Sequence, residues 1–366
     1  MIKRTGSGVI GRTEWRKTIM AITTEAFGKT ADGTQVSLYT ITNNNGFSAS
    51  VTNFGAILVK LFVPDKAGKT VDVVLGHDSV EGYFVNGSFF GATVGPSANR
   101  IDNACFTIDG VKYQLAVNDG TNNLHSDADK GYHKRVWNAV PGDNSIAFSL
   151  DDADGSMGFP GNKKVQVTYT VTDDNALKIE YDVTSDKKTL INMTNHSYFN
   201  LAGHNSGNIE AHRLCINASR YTPVFERLIP TGELVDVTGT PFDFRTMKTV
   251  GDDIEADDIQ LKYGQGYDHN YALDGFDGTL RKAASLEEPT SGRKMDVYTD
   301  LPGIQFYAGS CIAPETGKDG ATYGKRSGLC LETQCFPDAV NQPQFQDVVY
   351  GPDRPYKTTT IYKFYN

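Results

Sequence analysis

Polarity alternates with a period of two along much of this chain, and that period belongs to extended strands buried on one face. Val165, Val167, Tyr169 and Val171 share one parity. After Thr172-Asp173-Asp174-Asn175, the set Leu177, Ile179, Tyr181 and Val183 shares another, which spells a hairpin. Turn dipeptides punctuate the length: Asn45-Gly46, Asp109-Gly110, Pro141-Gly142, Asp154-Gly155 and Asp277-Gly278. The best helical window is short and acidic, Gly251 to Leu261. Many strands without intervening helices must bury their apolar faces against one another, so the expected fold is all-β, with antiparallel sheets packed face to face. No repeat, low-complexity tract or linker divides the 366 residues. A single large β-sandwich domain over residues 21–366 is the economical reading, since all-β folds often exceed the roughly 150 residues of an average domain.

Two polar islands interrupt the apolar strands. Leu190 to Leu201 sets His196 among asparagines, a serine and Tyr198, and Gly328 to Pro343 sets Glu332 on a short apolar strand. Side chains alternate across a strand, so Cys330, Glu332 and Gln334 face away from Leu329 and Leu331. The same rule parts Gln305 and Tyr307 from Ile304 and Phe306. It puts Asn192, Thr194, His196 and Tyr198 on one face if that strand is regular. Three strands thus each offer a polar face, as a cleft for a polar ligand on a sheet requires. A buried imidazole needs a partner or a purpose, and a carboxylate beside Cys330 and Leu331 is either hydrogen-bonded structure or a base. A histidine and a glutamate so placed suit proton transfer. Asp268 and His269 are neighbours on opposite faces and cannot pair directly. His77, His133, His204 and His212 read as structural or exposed.

Charge and cysteine usage narrow the classes further. Thirty-five basic against 44 acidic residues give a net charge of −9 with no local run of Lys or Arg, which argues against nucleic acid as a partner. The 5 cysteines, Cys105, Cys215, Cys311, Cys330 and Cys335, are odd in number and contain no C-x-x-C pair, so neither a disulfide framework nor a zinc site is expected. Pairs of the H-x-H or H-E-x-x-H type are also missing, and no metal is implied. A chain of this size buries about three quarters of its unfolded surface and needs no such staple. No apolar run approaches the roughly 20 residues of a membrane span. Residues 1–20 are basic without an apolar core, so they are set outside the fold as a leader, an expression-derived segment or an upstream start, and the protein is expected in the cytoplasm. Gly6-Ser7-Gly8-Val9-Ile10-Gly11 spells G-x-G-x-x-G, but follows no strand and opens no helix, so no nucleotide site is read there.

Together with Ser97-Ala98-Asn99-Arg100-Ile101, Asn123-Leu124-His125, Tyr267-Asp268-His269-Asn270 and Pro302-Gly303-Ile304-Gln305-Phe306-Tyr307, the two islands closely resemble the aldose 1-epimerase (galactose mutarotase) family. The resemblance runs in the family's order from about Ala21 to Asn366. It implies the galactose mutarotase-like supersandwich, a monosaccharide substrate, a monomer or homodimer, and no cofactor. It further implies Glu332 as base at the C1 hydroxyl and His196 as acid at the ring oxygen, assisted by His125. Asn99, Arg100, Asp268 and Gln305 would hold the hydroxyls, where the planar fork of Arg suits fixed geometry. Tyr198, Phe199 or Tyr307 would stack on the sugar, although aromatics in a β core more often serve packing.

Four departures from the family pattern, Pro96-Ser97, Ser126-Asp127, His133 and Cys335, lie beside motif residues and bear on loop shape and sugar preference. A hexose phosphate would call for further basic residues near Arg100, and none is visible in sequence. Two rival readings remain: a non-catalytic carbohydrate-binding sandwich, which has no reason to keep both His196 and Glu332, and a glycosidase using Asp268 and Glu332. The latter needs carboxylates about 5–5.5 Å or 6.5–9.5 Å apart.

Overall fold

Strand pairing follows the period-two pattern. The computed structural model describes residues 21–366; the segment read as a leader lies outside the described residues. The expected hairpin forms from Lys163–Val171 and Ala176–Ser185, registered Val171 against Leu177. Val165, Val167, Tyr169 and Val171 are buried while the intervening residues are not, as one-sided burial of a strand demands.

This hairpin lies within a nine-stranded sheet, which also takes in Ser145–Asp152, Tyr356–Tyr365, Lys294–Thr299 and Arg281–Glu287. A six-stranded sheet runs Tyr198–Phe199, Leu329–Gln334, Gly303–Tyr307, Asp268–Ala272, Arg220–Tyr221, Val235–Asp236. Ile304, Phe306, Leu329 and Leu331 from its apolar face join Val167, Tyr169, Ile179 and Tyr362 of the larger sheet in one contiguous core. The Tyr362 hydroxyl donates to the Leu331 carbonyl at 3.0 Å across that interface. Burial of the apolar face fixes the register, since a slip of one residue would turn every side chain over. The opposite face of the six-stranded sheet is therefore the polar one. A five-stranded sheet beginning at Ala21–Lys29 contributes Phe27, Val36, Leu38, Ile57 and Val59 to a second core with Phe90, Tyr198 and Cys330.

Two expectations need correction. The acidic window does not form a helix over Gly251–Leu261; the helix is Ile259–Gly264. Asp258 accepts from the backbone N–H groups of Gln260 and Leu261, at 2.7 and 3.3 Å, and starts the helix late because Asp is a better cap than interior residue. Leu190 to Leu201 is likewise not one regular strand. Thr189–Leu190 pairs with Val349–Tyr350, Thr194–His196 with Ala92–Val94, and Tyr198–Phe199 with Leu329 and Cys330. The chain passes between three partners and breaks at Ser197, whose hydroxyl donates to Asn195 Oδ1 at 2.6 Å. All five cysteines are unpaired. Among the described residues no helix is long and apolar enough to cross a membrane.

Candidate active site

The polar face of the six-stranded sheet arranges the site in rows. Asp268 lies opposite Tyr307, Tyr307 opposite Cys330, and Cys330 opposite Tyr198. Two residues along, Asn270 lies opposite Gln305 and Gln305 opposite Glu332. Directly opposed side chains in neighbouring strands touch, so strand parity alone brings these groups onto one surface. Beside Leu329–Gln334, the Thr194–His196 segment is fastened by Thr194 Oγ1 donating to the Thr333 carbonyl at 2.9 Å. Asn192 exchanges two hydrogen bonds with the Cys335 backbone, at 2.8 and 3.2 Å. His196 is thereby laid over Cys330 and Glu332: its Nε2 is 3.6 Å from Glu332 Oε1 and its Nδ1 is 3.5 Å from Cys330 Sγ.

Loops build the remaining wall. Asn99 and His125 both adopt left-handed backbone conformations, φ 58° and 54°, which non-glycine residues hold only where the surroundings enforce them. Here the enforcement is mutual: the Asn99 N–H donates to His125 Nδ1 and the His125 N–H to the Asn99 carbonyl, each at 3.1 Å. His125 Nδ1 is therefore an acceptor, and its proton sits on Nε2. Arg100 Nε is 2.7 Å from Asp119 Oδ2, and Arg100 Nη1 is 4.0 Å from Asp268 Oδ2. The departures at Ser97 and Ser126 contact one another, the Ser126 hydroxyl accepting the Ser97 N–H at 2.8 Å and donating to its carbonyl at 2.9 Å. They lace together the two loops that carry Asn99 and His125.

Burial governs the titrations. It raises Glu332 well above the usual carboxylate range, with the Asp268 charge adding to the effect. It lowers His196 to about 4. His125 is likewise pushed well below the ordinary histidine value by burial, then by His196 and Arg100. Asp268 is raised by burial, against the pull of Arg100 and of Gln305, whose amide donates to Oδ1 at 2.6 Å.

These groups enclose a cavity of about 490 Å³, inside the roughly 300–1,000 Å³ of small-molecule sites. Glu332, His196, His125, Asn99, Arg100, Asp268 and Tyr198 border it. Gln305, expected at the hydroxyls, is buried beneath Asp268 and engages it and Gln334. Tyr307 borders the cavity, whereas Phe199 belongs to the core behind it. Sequence reading missed Phe89, also left-handed at φ 58°, whose ring lies 4.8 Å from that of His125 and 4.7 Å from that of His133. It also missed Asp119 and Arg227. Arg227 is the second basic residue that the sequence around Arg100 does not show; it comes from a hairpin tip and meets the Thr121 hydroxyl. No local motif announces a contact across so many residues. His77, His133, His204 and His212 do not border the cavity.

Among the described residues one trio has the composition of a metal site: His196, Cys330 and Glu332, with donor atoms within 4.8 Å of one another. Cys330 and Glu332 meet different nitrogens of the ring, so the donors do not converge around one imidazole lone pair as coordination requires. The arrangement suits proton transfer between a carboxylate and an imidazole, beside polar side chains that can donate and accept hydrogen bonds.

The sequence profile described as Aldose 1-epimerase matches residues 37–363. The chain is 43% identical to the galactose mutarotase of Homo sapiens over 315 residues, covering 86% of this chain and 90% of that protein. It is 37% identical to the aldose 1-epimerase of Escherichia coli (strain K12) over 336 residues, covering 91% and 96%. Among solved structures, an aldose epimerase homologue from C. elegans superposes with a TM-score of 0.83 at 32% identity, covering 90% of this chain and 99% of that one.

Proposed function

The chain belongs to the aldose 1-epimerase family, and from that premise we propose that it interconverts the α and β anomers of D-galactose and D-glucose by acid–base ring opening and reclosure. It is an isomerase acting on a carbohydrate. Opening needs a proton taken from the C1 hydroxyl and another delivered to the ring oxygen; the open aldehyde then turns about C1–C2 and closes on its other face. We assign the first task to Glu332 and the second to His196, with roles exchanged on closure.

The approach of Glu332 Oε1 to His196 Nε2, 3.6 Å inside a sugar-sized cavity, carries this reading. Burial drives the carboxyl up and the imidazole down, so between their two titrations the pair holds one proton. One proton is what the reaction requires: carboxylate with imidazolium before opening, carboxyl with imidazole after it. His125, whose Nδ1 is occupied, offers Nε2–H on the ring-oxygen side. Asn99, Arg100 and Asp268 orient the hydroxyls, Gln305 holds Asp268, and Tyr198 packs beside the ring. A glycosidase would pair Glu332 with Asp268, but Asp268 is engaged by Gln305 and faces Arg100 while an imidazole meets Glu332. The unpaired thiols fit a reducing compartment, and the cytoplasm is the proposed location.

Polarimetry on freshly dissolved α-D-galactose tests the proposal. The protein should hasten the approach to anomeric equilibrium, leave the end point unchanged, and be indifferent to EDTA. A rate no faster than buffer at micromolar protein refutes it.

A further inference from the structure

Resting on Asp268 as a holder of the sugar hydroxyls, the inference concerns what holds Asp268. We propose that Gln334 is a positioning residue: its side-chain amide donates to Gln305 Oε1 and so turns the Gln305 amide nitrogen onto Asp268, leaving the second Asp268 oxygen for the sugar.

The direction of each bond is fixed by its neighbour. Gln305 Nε2 lies 2.6 Å from Asp268 Oδ1, and only the nitrogen end of an amide can donate to a carboxylate. Gln305 Oε1 is then left to accept, and it does so from Gln334 Nε2 at 3.2 Å. The other N–H of that nitrogen goes to Asn270 Oδ1, 3.3 Å away. Turned over, the Gln334 amide would set its oxygen against Gln305 Oε1, two acceptors opposed. All three amides are buried, and a buried acceptor without a donor carries the full desolvation cost of that group. Loss of the Gln334 donor therefore loosens Gln305, and with it Asp268. The backbone makes room for this junction: Gly303 lies opposite Gln334 in the sheet, and a Cβ there would come within 2.5 Å of Asn270 Oδ1. Asp268 borders the cavity, its Oδ2 4.0 Å from Arg100 Nη1, whereas Asn270, Gln305 and Gln334 do not border it. Gln334 thus reaches the sugar only through Gln305 and Asp268.

Steady-state polarimetry of Gln334→Met, which keeps the length of the side chain and removes its donors, should show KM for galactose raised about two- to tenfold, the ratio one ordinary hydrogen bond sustains, with kcat little changed. Gln334→Asn withdraws the amide by one methylene; it should act in the same direction and takes over the test where Gln334→Met does not fold. In an Asp268→Ala background either substitution should leave KM where Asp268→Ala alone puts it, because the carboxylate that Gln334 positions is gone. Proton–nitrogen NMR of labelled protein gives a readout independent of turnover: the Gln305 side-chain amide should exchange slowly with solvent in the natural protein and faster in both Gln334 variants. A packing role alone would instead lower the melting temperature, leave the Gln305 amide as it was, and give losses that multiply with that of Asp268→Ala. An unchanged KM, a kcat defect in its place, or multiplying losses overturns the inference. Absence of any anomer interconversion would overturn the assigned activity instead, and the Gln305 exchange rates would then decide the inference alone.

Discussion

Replacing Glu332 by glutamine tests its assignment as the base. The residue is 2% exposed, its Oε1 faces His196 and its Oε2 has no hydrogen-bond partner. The amide fills the same space but cannot take a proton from the C1 hydroxyl. General base catalysis contributes about 10²–10⁴-fold, so kcat should fall at least about 10²-fold, or about 2.7 kcal/mol of transition-state stabilisation. Asn99, Arg100 and Asp268 are untouched, and KM should stay within several-fold. Stability moves the other way. A carboxyl whose folded pKa lies above its ordinary value of 4.5 withdraws stability as pH rises from that value through the folded one, because the folded state binds the extra proton. Glutamine does not titrate, so the melting temperature of Glu332→Gln relative to the natural protein should climb with pH across that window. Initial rates by polarimetry, with calorimetry at several pH values, test both halves. Near-normal turnover, or a fall in melting temperature at every pH, would show that Glu332 is structural.

Asp268→Ala should chiefly raise KM, by about tenfold or more, since it removes a charged hydrogen-bond acceptor used in ground and transition states alike; a pure kcat defect in steady-state kinetics would revive the pairing of Asp268 with Glu332. The pH profile of kcat/KM should hold its acid side down to the region of about 4, where His196 takes up a second proton, and fall on the alkaline side as the raised Glu332 carboxyl gives up the shared one. An acid limb at the ordinary histidine value of 6.5 would contradict a buried His196 as the acid.

What was legible in the sequence was what strand geometry fixes locally. The parity of Gln305, Tyr307, Cys330 and Glu332 placed them on one face, and the observed register joins them in rows. The hairpin around Thr172 to Asn175 was equally plain, because its turn and its alternation are adjacent in the chain. Positions set by distant partners were not legible. The break at Ser197 arises because successive residues pair with different strands, and periodicity carries no record of partners. Phe89 owes its place to a left-handed backbone, for which a bulky aromatic gives no warning. Gln305 has the right parity but lies beneath Asp268, a matter of depth that alternation cannot express. Arg227 reaches the cavity only through folding of a remote hairpin.

The double-mutant cycle on Glu332 and His196 addresses the central claim, that the two move one proton as a unit. Polarimetric rates for Glu332→Gln, His196→Asn and the double variant should be strongly non-additive, the double variant scarcely slower than the worse single one, with His196→Asn melting close to the natural protein. Rate losses that multiply, with His196→Asn unfolding several degrees earlier, would contradict it. His196 would then be scaffold for the Asn192 to Leu201 segment, and the acid would be His125.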